Sequence, residues 1–420
     1  MRGWQRVIQA TAVASVCVLG ANIFSIHSAY ASNSSVVAQH FATSMPVISN
    51  TGVKTTTEGS VEIAKEARSA VIMDAATGKV LYSKDAAEEL PMASITKIMT
   101  MLLTMEAIDE GRLKWTDQIK TSEHAASMGG SQIFLEPGET MSVTDMLKGI
   151  AIASANDACV AMAEHLDGSE EAFVTRMNKR AKELGMNHTH FSNCNGLPAQ
   201  SHYSSAHDIA IMSRALLVHP EITRFTSVYS DYLRKNTDRP LWLVNTNKLV
   251  RFYDGVDGLK TGFTQEAKYC LSATAKKEGF RVIAVVMGEP RPKVRNAEVT
   301  GMLNWAFSHY TSKLLYPKGH VVAKAKVIKG VKDNVAAITA EPVGFVAERG
   351  NKSTYKTEIT LNPVKAPVLK GVQVGEMKVF VNGDMVSRVP LLARDEVKKT
   401  NVFQGFGKTI KKIVTFGKAE

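Results

Sequence analysis

The chain has 420 residues, 45% of them hydrophobic, and a formal charge of +11, which allows a large buried core divided among two or three domains. The charge by itself selects no partner, because nucleic acid, anionic lipid and an anionic wall polymer all attract a basic surface. No zinc-ligand spacing and no aromatic-basic RNA signature is present, and this removes the usual nucleic-acid modules.

The N-terminus narrows the field further. Arg2 and Arg6 precede an apolar stretch from Val7 to Ile26, and Ala29-Tyr30-Ala31 offers a cleavage site, so the pattern predicts a signal peptide over residues 1–31. Gln9, Thr11, Ser15 and Asn22 interrupt the stretch and argue against an uncleaved span. An exported chain rarely meets nucleic acid, and none is expected as a partner. Beyond Cys17 only Cys159, Cys194 and Cys270 remain, an odd and sparse set that argues against a disulfide framework.

Residues 32–60 are rich in Ser, Thr and Val without periodicity and read as a flexible lead-in. Strand-like runs at Ala70–Asp74 and Lys79–Ser83 flank a turn at Ala75-Ala76-Thr77-Gly78. Helical patterns then dominate to about Leu217, with helices expected at Ser94–Glu110, Val143–Leu166 and Glu170–Leu184. Strands return at Tyr269–Ala275 and Arg281–Met287, and a helix from about Lys293 to Tyr310 follows. Strands at both ends with helices between them predict one α+β domain over 61–316, its antiparallel sheet covered by helices.

Past Pro317 short alternating segments broken by Gly, Pro and Asn predict a small all-β domain over 317–394: Val321–Ile328, Val343–Ala347, Tyr355–Leu361, Met377–Val381 and Val386–Val389. Asn382-Gly383 is a hairpin turn between the last two. Residues 395–420 read as an amphipathic C-terminal helix. At 100° per residue Val402, Phe403, Phe406, Ile410, Ile413 and Val414 share an arc of about 120°, with Lys408, Lys411, Lys412 and Lys418 opposite. That pattern suits a helix lying in an anionic membrane interface.

Three short segments carry chemistry. In Ser94-Ile95-Thr96-Lys97 the serine and lysine share a helical face, so the amine reaches the hydroxyl. Serine is a poor nucleophile until a base takes its proton, and lysine is such a base only when burial or a nearby cation lowers its pKa. Ile95, Ile98, Met99, Met101, Leu102 and Leu103 predict that burial. Ser154-Ala155-Asn156 lies in an apolar run, where a serine suits proton relay and an asparagine amide suits binding a carbonyl; a plain capping or packing pair would read the same. In Lys260-Thr261-Gly262 the glycine permits close approach, and the lysine adds charge that would hold Lys97 neutral and attract a carboxylate.

In this order S-x-x-K, S-x-N and K-T-G resemble the motif set of penicillin-binding proteins and serine β-lactamases. The mature chain is similar to the low-molecular-mass penicillin-binding proteins, the serine D-Ala-D-Ala carboxypeptidases. Gly129-Gly130-Ser131, Phe191–Pro198, Asn245-Thr246-Asn247-Lys248, the β domain and the tail share in the likeness.

The resemblance implies a penicillin-binding fold whose Ser94 attacks the bond between two D-alanines of a peptidoglycan stem peptide, with Lys97 as base and Ser154 as proton relay. Asn156 would bind the substrate amide, and Lys260 with Thr261 and Gly262 its carboxylate. The backbone N–H groups of Ser94 and Phe263 would form the oxyanion hole. Arg295 stands where such enzymes often carry a carboxylate-binding arginine, and an ordinary surface arginine on the last helix would read the same. Phe263 replaces the polar residue common after K-T-G. β-Lactams would be covalent inhibitors, and neither metal nor cofactor is implied. A class A β-lactamase would need an E-x-x-L-N segment, absent here. A cross-link endopeptidase and a non-catalytic penicillin sensor or wall-binding protein stay open as alternatives.

Overall fold

The structure, a computed structural model, describes residues Ile63–Thr400. The signal peptide, the lead-in and most of the expected tail helix lie outside the described residues. Five antiparallel strands form the central sheet: β1 Ser69–Asp74, β2 Val80–Lys84, β3 Val256–Thr264, β4 Lys268–Lys277 and β5 Phe280–Glu289, in the spatial order β2-β1-β5-β4-β3. The first strand pairs with the last across more than two hundred residues, Val71 opposite Val285. The K-T-G segment therefore lies in an edge strand.

Strand alternation divides the core in two. Val71, Met73, Ile283, Val285 and Met287 face a helical layer that contains α1 Lys97–Asp109, α2 Asn156–Asp167 and α3 Ala206–Leu217. Their neighbours Ala70, Ile72, Val282, Ala284 and Val286 face the long helix α4 Pro292–His309 through Val299, Met302, Leu303 and Ala306. Continuous apolar runs in β1 and β5 follow from this burial on both faces. α1 is buried along Lys97–Met105, which explains why its sequence shows no polar stripe.

Two expectations need correction. The helix predicted over Val143–Leu166 is broken. Val143–Lys148 gives way to a π-helical turn at Gly149–Ala153, Ser154 takes a left-handed φ of 65°, and α2 starts afresh at Asn156. Such a turn re-aims side chains at a functional site, and here it brings Ser154 and Asn156 to the start of a new helix. Tyr310–Tyr316, expected to end the first domain, is a strand that pairs antiparallel with Val343–Glu348 of the β-rich part. Residues 395–400 are not helical: Val397 bridges to Val368 and Lys399 to Gly330.

The β-rich half is a six-stranded sheet, Tyr355–Leu361, Gln373–Val381, Asp384–Ala393, Asn334–Thr339, Val321–Ile328 and Val364–Lys365 in spatial order. Its hairpin turns at Asn382-Gly383 as expected, with both residues at positive φ. Val374, Met377, Val379 and Leu391 fill its core.

Candidate active site

Ser94 lies in a 3₁₀ turn, Ala93–Thr96, that runs into α1. Two glycines press on this turn. A Cβ at Gly196 (φ +87°) would stand 2.0 Å from the Ala93 carbonyl oxygen and 2.9 Å from Ser94 N, and one at Gly262 would stand 2.7 Å from the Met92 carbonyl oxygen. The F-S-N-C-N-G-L-P segment and the K-T-G strand thus meet the nucleophile's backbone only because neither position has a side chain.

Lys97 is fully buried, and its amine has three neighbours. It lies 3.1 Å from Ser94 Oγ, donates to Asn156 Oδ1 at 2.6 Å, and donates to the Asn195 carbonyl. A neutral amine has two N–H groups and one lone pair. In that form the two carbonyls would take both N–H groups and leave the lone pair for the Ser94 proton. Burial pushes the Lys97 pKa down, opposed by Cys159, Cys194 and Asp157. No carboxylate is hydrogen-bonded to the amine among the described residues, so nothing holds its proton by direct contact.

Asn156 is held from its other side. Its Nδ2 donates to Gly129 O at 2.7 Å and its backbone N–H to Ser131 O at 2.7 Å. The buried Asp157 carboxylate accepts from Ile133 N and Leu135 N, fastening the Gly129–Leu135 loop to the start of α2. Ser154 is 3% exposed beside it, and its hydroxyl makes no hydrogen bond with a described residue.

Lys260 is buried in β3, and its amine donates to the Thr261 carbonyl at 3.0 Å. Burial first, then Lys97, then Arg295 act to lower its pKa, and the shift is large. Lys97 in turn owes its lowered pKa first to burial, the first of the two causes expected for it. Two amines in one dry site each disfavour a proton on the other. Thr261 Oγ1 donates to Thr246 Oγ1 at 2.7 Å, and Asn247 Nδ2 donates to Gly258 O at 3.0 Å, so the N-T-N-K segment braces β3.

Phe263 is half exposed and stacks on Tyr269 across the hairpin, ring centroids 4.3 Å apart. Arg295 is buried, not an ordinary surface arginine. It donates twice to Asn296 Oδ1, and its charge bears on Lys260.

Two residues to which sequence reasoning assigned no role shape the site. Thr246 extends the hydroxyl pair at β3. His202 Nδ1 accepts from Ser192 N at 2.9 Å, which places its proton on Nε2, 2.7 Å from Thr96 Oγ1; Thr96 then donates to Ala93 O at 2.8 Å. Burial pushes His202 down to about 4, so it stays neutral. A lone histidine between loop residues gives no sequence signal for such a brace.

A serine, a buried amine 3.1 Å from it whose pKa burial lowers, an amide and a second lysine on an edge strand suit acyl transfer through a covalent serine intermediate. Comparison with known proteins agrees. Residues 54–291 match the family D-alanyl-D-alanine carboxypeptidase, and residues 310–399 match the penicillin-binding protein 5, C-terminal domain. The chain is 54% identical over 340 residues to the D-alanyl-D-alanine carboxypeptidase DacF of Bacillus subtilis, covering 80% of this chain and 87% of that one. It resembles penicillin-binding protein 5 from Haemophilus influenzae with a TM-score of 0.64 and 28% identity, covering 81% of this chain and 100% of that one. Penicillin-binding protein D2 from Listeria monocytogenes, solved in its ampicillin-bound form, matches at 31% identity and a TM-score of 0.53, covering 59% and 100%. With its serine-lysine pair set against an edge strand and its β-rich second half, the chain belongs to the D-alanyl-D-alanine carboxypeptidase family.

Proposed function

We propose that the enzyme removes the terminal D-alanine from peptidoglycan stem pentapeptides through an acyl-enzyme on Ser94. The observation that carries this reading is the buried Lys97 amine, 3.1 Å from Ser94 Oγ and donating to the Asn156 and Asn195 carbonyls. Ser94 Oγ bonds to the carbonyl carbon of the penultimate D-alanine as its proton passes to Lys97. The backbone N–H groups of Ser94 and Phe263 stabilise the oxyanion. Collapse breaks the C–N bond, and the departing D-alanine amine receives a proton from Lys97 by way of Ser154. Water then attacks the acyl-serine with Lys97 again as base. Asn156 orients the substrate amide, and Lys260 and Thr261, on the backbone of Gly262, bind the terminal carboxylate, with Arg295 adding positive charge behind them.

A β-lactam would acylate the same serine, as the ampicillin-bound Listeria relative suggests. The reading includes export through the N-terminal segment and attachment of the tail at the outer face of the cytoplasmic membrane. Labelled penicillin should add one adduct mass on Ser94, and pentapeptide should release D-alanine. A folded protein without adduct would sink the acyl-enzyme. Cleavage confined to a cross-linked dimer would replace carboxypeptidase by endopeptidase, and an adduct without any D-alanine release would leave a sensor.

A further inference from the structure

Charge is divided unevenly along the described chain. Residues 63–309 hold 28 Lys and Arg against 29 Asp and Glu, whereas residues 310–400 hold 16 against 8. The basic excess therefore belongs to the β-rich part, which has no catalytic group.

Part of that excess gathers where the described chain ends. Val331 N donates to Lys398 O and Thr400 N to Lys329 O, both at 2.9 Å, around the bridge between Lys399 and Gly330. Next to it Val397 and Val368 exchange backbone hydrogen bonds of 2.8 and 2.9 Å. Val327 and Ile328 pair in parallel with Val364 and Lys365. These pairings lay the turn after Ile328, the segment ending at Lys370 and the last described residues side by side.

The first two of these segments present aliphatic side chains to solvent: Ile328 is 45% exposed, Val331 38% and Leu369 51%. Exposed lysines stand among them, with Lys329 and Lys332 flanking Val331, Lys370 following Leu369, and Lys398 and Lys399 opposite. A cleft of about 360 Å³ opens beside them, lined by Lys324, Lys332 and Arg394, with Asp333 and Asp395 also on its walls. Aliphatic tips ringed by lysines form the composition of an interfacial surface. The tips enter the acyl boundary while the ammonium groups meet headgroup phosphates. The sequence runs on from this edge into the lysine-backed apolar stripe of residues 401–420.

We propose that this rim of the β-rich half is itself a docking surface for an anionic phospholipid membrane, acting beside the tail. The inference rests on the reading that the enzyme works at a membrane face. Its test is flotation of the full-length mature protein with phosphatidylcholine vesicles, with and without phosphatidylglycerol. Wild type is compared with a rim variant, K329Q/K332Q/K399Q, and a tail variant, K408Q/K411Q/K412Q. One lysine near an anionic surface is worth roughly fivefold in partitioning, so the rim variant should bind anionic vesicles on the order of 100-fold less. Its hydrolysis of soluble pentapeptide should match wild type, which shows that it folds. Wild-type flotation by the rim variant, with loss only in the tail variant, would overturn the rim and leave the tail reading standing. Failure of the wild-type protein to float would remove the membrane reading and the rim with it. A rim variant that floats normally but loses binding to soluble poly(glycerol phosphate) would assign the surface to a wall polymer and overturn the proposal.

Discussion

Lys97 Nζ and Asn156 Oδ1 are 2.6 Å apart although 59 residues separate them along the chain. The contact joins two of the three motifs directly, and it is made to a neutral acceptor. A carboxylate there would hold the lysine proton, and an amide oxygen does not. Asn156→Asp should therefore raise the Lys97 pKa, slow acylation by labelled penicillin at neutral pH by about 100-fold or more, and move the rising limb of the pH–rate profile to higher pH. An unshifted limb would show that Asn156 acts on substrate alone.

Lys260 is expected to act mainly on the carboxylate, since burial already lowers the Lys97 pKa. Lys260→Gln should raise KM for pentapeptide tenfold or more, about the worth of a charge-assisted hydrogen bond, with a smaller change in kcat. Steady-state kinetics over a range of pH checks this. A large alkaline shift in the acylation profile would instead make Lys260 the partner that keeps Lys97 neutral.

At Gly196 an added methyl group meets backbone, not a yielding side chain. Gly196→Ala should cost about 2–4 kcal/mol, combining positive φ with displacement of the Ser94 turn, and should lower acylation as well. Denaturant unfolding with penicillin labelling measures both.

His202 is neutral when folded, with its pKa pushed down from 6.5 to about 4 by burial. The unfolded chain binds this proton first as pH falls, so the stability linked to His202 is complete above 6.5 and is lost as pH drops towards 4. The loss amounts to about 3 kcal/mol. His202→Gln should flatten unfolding free energy against pH in that window, and an unchanged slope would exclude the histidine as its source.

Glu289 titrates in the opposite sense. Burial first, then the neighbouring Glu298 carboxylate, push it up to about 9, and neither of its oxygens has a donor among the described residues. The folded state holds this proton longer than the unfolded one, so stability falls as pH rises from 4.5 towards 9. Glu289→Gln should raise Tm at pH 8 and change it less at pH 5. An equal effect at both would show that no proton is involved.

The nucleophile motif was legible because its spacing and its apolar neighbours are both local. Strands β1, β4 and β5 were legible as apolar runs, and five of the β-rich strands through their alternation and the Asn382-Gly383 turn, whereas Asn334–Thr339 and Val364–Lys365 were not. The break before Asn156 was not, because Gly149–Ala153 reads as continuous helix and only tertiary contacts favour the π turn. The brace from His202 to Thr96 was hidden for the same reason: its partners are 106 residues apart and neither has a distinctive neighbourhood. Arg295 kept two readings in sequence because an arginine on a helix shows its burial only once the sheet behind it is built.

The sheet takes its first strand from Ser69–Asp74 and pairs it with Phe280–Glu289. A chain that has not folded contains Ser94 and Lys97 but no dry enclosure around them, and its lysine is a solvated cation. A nascent or clipped chain would thus be chemically mute, sparing the cell a stray acyl-serine before assembly is complete. Conversely, reactivity towards a labelled penicillin serves as a readout of finished folding, able to count native molecules in a mixture where antibody or mass would count every chain.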